Sequence, residues 1–160
     1  MRNLIMVAFI DAVAEGQEFL RSDWPLHITL VRFDVRNDGD AARIAALAEL
    51  PARQALGTVL AIGADDRFGR QGSVPVSLVG ADPSLQALHE TLVQAVEQVS
   101  GRVASPHHTR QNFRPHVSHR GDRRLNPGDA VVLDQISLVD MAPDGNRTIR
   151  RILELWELRR

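Results

Sequence analysis

The stretch Pro25-Leu26-His27-Ile28-Thr29-Leu30-Val31-Arg32-Phe33-Asp34-Val35 has a short counterpart late in the chain, Phe113-Arg114-Pro115-His116-Val117-Ser118-His119. Each contains a histidine, a β-branched apolar residue and a hydroxyl residue, in that order. Each lies in an extended-looking run, Leu26 to Phe33 and Pro115 to His119. Side chains i and i+2 of a strand share a face, so each tripeptide presents one imidazole beside one hydroxyl. Two such presentations supply two acid/base groups and two hydrogen-bond donors.

Around these motifs, Leu4 to Ile10 reads as a buried first strand and Leu26 to Val35 as the second. Asp38-Gly39-Asp40 signals a turn and N-cap before a helix over about Ala41 to Leu50, stopped by Pro51. Ala55 to Ile62 is a third strand, Gly63 to Gly72 a polar loop, and Ser73 to Val79 a further strand. Asp82-Pro83 opens a second helix, with aspartate as N-cap and proline at the first helical position. Leu85, Leu88, Leu92, Val96 and Val99 recur at helical spacing up to about Ser100, and Gly101 ends the helix. Ser105 to Pro115 is an irregular loop, and a polar, turn-rich segment follows the second motif from Gly121 to Gly128. Gln135 to Met141 and Thr148 to Leu158 close the chain as strands around the turn Pro143-Asp144-Gly145-Asn146. The last run also has helical spacing at Ile149, Ile152, Leu153 and Trp156, but strand is preferred. The expected fold is α+β, mostly antiparallel, built as two comparable halves with one histidine motif and one long helix each.

A chain of 160 residues, 44% hydrophobic and 24% charged, is ordinary for one soluble domain spanning residues 1–160. The absence of cysteine excludes disulfides, thiolate catalysis and zinc-thiolate sites. The apolar run after Arg2 is too short for a signal peptide and ends at Asp11 without a small-residue cleavage site. No stretch approaches the ~20 apolar residues that span a bilayer, so a cytoplasmic location is expected. A net charge of −1 argues against nonspecific coating of nucleic acid. All 19 basic residues are arginine. Six of them (102, 110, 114, 120, 123 and 124) bracket the second motif, with Asp122 as the one acid. Such a run is either a solvated loop surface or a field for phosphate, whose oxygens arginine forks bind bidentately.

The pair of motifs suits phosphoryl-ester chemistry. Opening a cyclic phosphodiester in water needs a base, an acid, and donors on the nonbridging oxygens. Histidine, with an ordinary pKa of about 6.5, serves as either acid or base near neutrality. Two histidines on opposite sides of one phosphorus allow in-line displacement, and the scheme needs no metal. Thr29 and Ser118 would hold equatorial oxygens. Alternation puts Arg120 on the face of His116 and Ser118, with His119 pointing away. His107, His108, His116 and His119 have poor spacing for a metal site. His89 reads as structural or exposed. Trp24, Phe68 and Phe113 are candidates for base stacking, with core packing the default.

On Pro25-Leu26-His27-Ile28-Thr29-Leu30 and Phe113-Arg114-Pro115-His116-Val117-Ser118, the chain resembles the two-histidine (2H) phosphoesterase superfamily. That superfamily includes the 2′-5′ RNA ligase-like proteins and the 2′,3′-cyclic phosphodiesterases. The resemblance spans nearly the whole chain, although its specificity lies in about a dozen residues. It implies two mostly antiparallel sheet lobes related by a pseudo-twofold around a central cleft, with helices outside. It implies His27 and His116 as the acid/base pair, with His116 activating water and His27 protonating the departing ribose oxygen. Thr29 and Ser118 would bind phosphate, joined by Arg114 and Arg120. The extension Arg120-Gly121-Asp122-Arg123-Arg124 departs from most relatives. The arginine bias around the second motif leads to a division of labour, in which the His116 half grips substrate and the His27 half supplies chemistry. RNA ends or cyclic nucleotides are the expected substrates of a cofactor-free monomer that needs neither membrane nor protein partner. A non-catalytic RNA-end or nucleotide-binding module and a metal-dependent hydrolase are the competing readings.

Overall fold

The computed structural model describes residues 1–159. Ten strands pair antiparallel throughout. In chain order they are β1 (Arg2–Phe9), β2 (Glu18–Leu20), β3 (His27–Val35), β4 (Val59–Phe68), β5 (Val74–Val79), β6 (Arg102–Val103), β7 (His116–Ser118), β8 (Ala130–Val132), β9 (Gln135–Asp140) and β10 (Ile149–Glu157). The α-helices among the described residues are α1 (Asp38–Ala55) and α2 (Pro83–Gln98). The strand order is β2-β10-β9-β1-β3-β7-β5-β4-β8, and β6 pairs with β3. The chain is therefore α+β, and its two expected halves adjoin at the β3–β7 seam. Each motif strand lies on one side of that seam. The run after Arg147 is a strand, paired to β9 and β2.

β1 reads as a continuous apolar run because both its faces are covered. Leu4, Met6 and Ala8 face the main core, where α1 and α2 pack. Ile5, Val7 and Phe9 face a smaller core with Val13, Trp24, Val139, Met141 and Ile152. α2 begins as expected: the Asp82 carboxylate accepts from Leu85 N at 2.9 Å and Pro83 occupies the first turn.

α1 departs from expectation at both ends. Its N-cap is Asn37, whose Oδ1 accepts from Asp40 N at 2.8 Å. It runs through Pro51 to Ala55. An internal proline costs a helix about 3 kcal/mol or more. Here the turn beyond it buries Ala52 and Ala55 in the main core, which offsets that penalty. β4 likewise extends beyond Ile62 to Phe68, through residues expected to form a loop. Hydrogen bonding to β5 holds this polar segment extended, with a register irregularity between Ile62 and Asp65.

Among the described residues, no helix is long and apolar enough to cross a membrane.

Candidate active site

β3 and β7 meet at the pair Ile28 and Val117, both fully buried in the main core. Antiparallel counting outward from that pair sets His27 opposite Ser118 and Thr29 opposite His116. These four side chains alternate with Ile28 and Val117, so they occupy the other face of the sheet. The two histidines are then diagonal neighbours, a relation for which the usual backbone separation is about 7–8 Å. Their charges act on one another directly, since His116 contributes to lowering the pKa of His27.

The same anchoring appears twice. His27 Nδ1 lies 2.8 Å from the Pro25 carbonyl oxygen, and His116 Nδ1 lies 2.8 Å from the Arg114 carbonyl oxygen. A carbonyl only accepts, so each Nδ1 carries the proton and each neutral ring keeps its Nε2 lone pair. Each ring also has an aromatic backing. His27 packs on Trp24 with ring centroids 4.4 Å apart, and on Phe9 at 6.2 Å. His116 meets Phe68 edge-on at 4.4 Å. Burial pushes His27 down to about 4, opposed by its bond to the Pro25 carbonyl and assisted by Arg120 and His116. His116 is lowered from its ordinary value by burial, opposed by its bond to the Arg114 carbonyl and assisted by the Arg114 charge. The hydroxyls of Thr29 and Ser118 have no hydrogen-bond partner among the described residues, which leaves both open to a ligand.

A β-bulge lets one strand serve both faces. Met6 pairs with Val31 and Val7 with Thr29, so Leu30 is the extra residue on β3. Ile28 and Leu30 point into the main core before the bulge, and Val31, Phe33 and Val35 do so after it. Arg32 is thereby turned to the face that carries His27 and Thr29. A cleft of about 520 Å³ opens there, lined by Thr29, Arg32, Phe68, Phe113, Arg114 and His116 among others.

The arginines around the second motif are mostly spent on carboxylates from elsewhere in the chain. Arg110 pairs with Glu97 at 2.6 Å, Arg114 with Asp66 at 3.0 Å, and Arg124 with Asp65 at 2.6 Å. Arg123 pairs with Asp11 and lies 3.8 Å from Asp23. Arg114 also sits over the Phe68 ring, 4.8 Å from its centroid, at the cleft rim. Arg120 has no hydrogen bond or ion pair from its side chain among the described residues. Its charge reaches His27 rather than His116. The cause is a tight turn: Arg120 and Arg123 exchange backbone hydrogen bonds of 2.8 and 3.0 Å, with Gly121 at φ 61°. Arg123 then latches that turn to Asp11, which also accepts from Leu26 N at 2.8 Å.

The other histidines have separate positions. His119 Nε2 lies 2.9 Å from Ser77 Oγ. Ser77 donates its own proton to the Leu125 carbonyl, so it accepts from His119 on the far side of the sheet. His89 is buried and satisfied at both nitrogens: Nδ1 donates to the Leu30 carbonyl at 2.6 Å and Nε2 accepts from Arg110 N at 2.9 Å. It stacks on Phe113 at 3.9 Å and so ties the bulge of β3 to the loop lining the cleft. His108 lines that cleft. Among the described residues, no three His, Asp or Glu side chains converge as a metal ion would need. Trp24 is core, while Phe68 and Phe113 stand on the cleft wall. Arg32 escapes sequence reading because its orientation depends on the bulge, and that depends on pairing with β1.

The class defined by this geometry is an antiparallel α+β protein presenting paired histidines and hydroxyls from adjoining strands. The chain belongs to the 2′-5′ RNA ligase superfamily, whose family model matches residues 7–139. Solved structures share the fold. Escherichia coli LigT, crystallised with NADP+, is 15% identical with a TM-score of 0.62, over 99% of this chain and 98% of that one. TT0787 of Thermus thermophilus is 17% identical with a TM-score of 0.63, over 98% and 97%. A structure described only as a phosphoesterase is 16% identical with a TM-score of 0.62, over 99% of both chains. No curated protein sequence matches the chain.

Proposed function

We propose that this protein hydrolyses 2′,3′-cyclic phosphate or 2′-5′ phosphodiester bonds in RNA ends or nucleotides, with His27 and His116 as its two proton-transfer groups. The observation that carries this reading is the diagonal pair of imidazoles, each with Nδ1–H held by a carbonyl and Nε2 available. In the reaction, one Nε2 removes a proton from water as its oxygen attacks phosphorus. One ribose P–O bond breaks, and the other imidazolium delivers its Nε2 proton to the departing oxygen. Thr29 and Ser118 donate to the nonbridging oxygens as charge builds there. Arg120, unpaired and near His27, stabilises the same charge. Crystals of E. coli LigT with 3′-AMP and with ATP support a nucleotide as the ligand class.

The difference in burial supports an order of roles opposite to that implied by the family resemblance. His27, lowered to about 4, is neutral at physiological pH and so keeps the free Nε2 lone pair that a base requires. A phosphate anion bound between the rings must raise one of them, and the exposed side of His116 makes it the cheaper to protonate. His27 would then be the base and His116 the acid.

Turnover of 2′,3′-cyclic AMP and of RNA ending in a 2′,3′-cyclic phosphate, with EDTA present, tests the reading. His27→Ala and His116→Ala should each lower kcat by about 10²–10⁴-fold, the usual worth of a positioned acid or base. Tight binding without product would instead favour a nucleotide-binding module.

A further inference from the structure

We propose that Arg21, Arg32 and Arg150 form a second phosphate-binding subsite beyond the catalytic cleft, so that the substrate carries a further phosphate besides the one attacked. Three observations place it. A second cleft, of about 870 Å³, is lined by all three arginines. Arg32 lines this cleft and the one holding Thr29 and His116, so the two are neighbours on one face of the sheet. Arg150 lies over Trp24 at 5.9 Å, and the Trp24 ring packs on His27. One core ring, Trp24, thus touches both Arg150 and His27.

Two of the three guanidinium groups there have no partner among the described residues, and the third bonds only backbone carbonyls. Arg21 and Arg32 make no side-chain hydrogen bond or ion pair among the described residues. Arg150 donates from Nη1 to the Met141 carbonyl at 2.5 Å and the Arg147 carbonyl at 3.0 Å, while its Nε is buried with no partner. Burial, then Arg32, then Arg21 lower the Arg150 pKa, opposed by Asp140, so both guanidinium groups lie near Arg150. Asp38, Asp140 and Asp144 of the cleft are already paired with two other arginines that line it. Arg2 bridges Asp38 and Asp140, and Arg151 bridges Glu18 and Asp144. Asp34 is the remaining acid on that wall, set against three guanidinium groups. Like charges converging around a concave surface repel one another, and an anion removes that repulsion. Arginine forks match phosphate oxygens in pairs.

This inference rests on the phosphoesterase reading only for the nature of the substrate. Three probes test it by calorimetry at low salt: 2′,3′-cyclic AMP, a diadenosine ending in a 2′,3′-cyclic phosphate, and adenosine 5′-phosphate 2′,3′-cyclic phosphate. His116→Ala is the background that prevents turnover. One or both of the probes with a second phosphate should bind at least about tenfold tighter than 2′,3′-cyclic AMP, the worth of one charge-assisted contact. Which one gains separates an internucleotide phosphate from a terminal one. Arg21→Gln and Arg150→Gln should remove most of that gain without changing affinity for 2′,3′-cyclic AMP, and Arg150→Lys should retain part of it. No gain, or a gain unmoved by Arg21→Gln and Arg150→Gln, overturns the subsite. Tripolyphosphate keeps the two claims apart. If it binds and both glutamine variants abolish that binding while no nucleotide binds, the subsite stands and the phosphoesterase reading falls. If tripolyphosphate does not bind either, the subsite falls.

Discussion

His27 and His116 are held by the same bond: in each, Nδ1 donates over 2.8 Å to the carbonyl two residues upstream, on Pro25 or on Arg114. A two-residue reach within one chain needs no other element, so each motif orients its own imidazole. The fold's task is to bring the two motifs edge to edge, which the Ile28–Val117 pair accomplishes.

The division of roles is separable by leaving group. A p-nitrophenoxide departs without a proton, whereas a ribose alkoxide needs one. With a nucleoside p-nitrophenyl phosphodiester, His116→Ala should lose less than about tenfold in kcat, and His27→Ala should lose about 10²-fold or more. The reverse pattern would assign His116 as the base.

The pH profile follows from the lowered imidazoles. Under the proposed roles, activity requires His27 neutral and His116 protonated. As pH rises through about 4, His27 loses its proton and kcat/KM climbs. As pH rises further, His116 loses its proton, below its ordinary value of about 6.5, and kcat/KM declines. A bell with an acidic optimum is expected from initial rates between pH 3.5 and 8.

Arg120 and Arg114 should differ. Arg114 is already paired with Asp66, whereas Arg120 has no side-chain partner among the described residues and lies near His27. Arg120→Ala should raise KM about tenfold or more, and Arg114→Ala only about two- to threefold, because an exposed ion pair is worth little. Steady-state kinetics on 2′,3′-cyclic AMP distinguishes the two.

The hydroxyls should act mainly in the transition state. Thr29→Val and Ser118→Ala should each lower kcat by about 10–10³-fold with little change in KM, since their proposed partners are the oxygens on which charge builds.

Stability should fall in acid. His27, His89 and His116 are all held below their ordinary values by burial. Between the folded values and about 6.5 the unfolded chain binds more protons, so stability is full above pH 6.5 and is lost as pH falls through that window. Thermal melts should show Tm lower by about 5 °C or more at pH 5 than at pH 7.5. His89→Phe, which cannot charge, should have a shallower pH dependence and a lower Tm at pH 7.5, because the Leu30 carbonyl and Arg110 N–H lose their partner.

Local signals located the α2 start, because aspartate followed by proline caps a helix with its own atoms. They failed at Pro51, where burial of Ala52 and Ala55 outweighs a local penalty. They also failed at residues 63–68, whose extended form is supplied by β5. The short strands β2, β6 and β8 carry too few residues for a periodic pattern and exist through their partners. The run Arg102 to Arg124 read as a positive field because Glu97, Asp65, Asp66, Asp11 and Asp23 lie outside it in sequence and beside it in space.

The α+β class, both motif strands, and the face on which each histidine lies beside its hydroxyl all follow from residue order. They are consequences of strand alternation and of contacts two residues apart. Which charges remain free is a property of the fold instead. Pairing across the sheet consumed most arginines near His116, delivered Arg120 to His27, and turned Arg32 into the cleft through a bulge at Leu30. Charge neutralisation and bulge placement depend on residues far apart in the chain, and only the folded sheet brings them within reach.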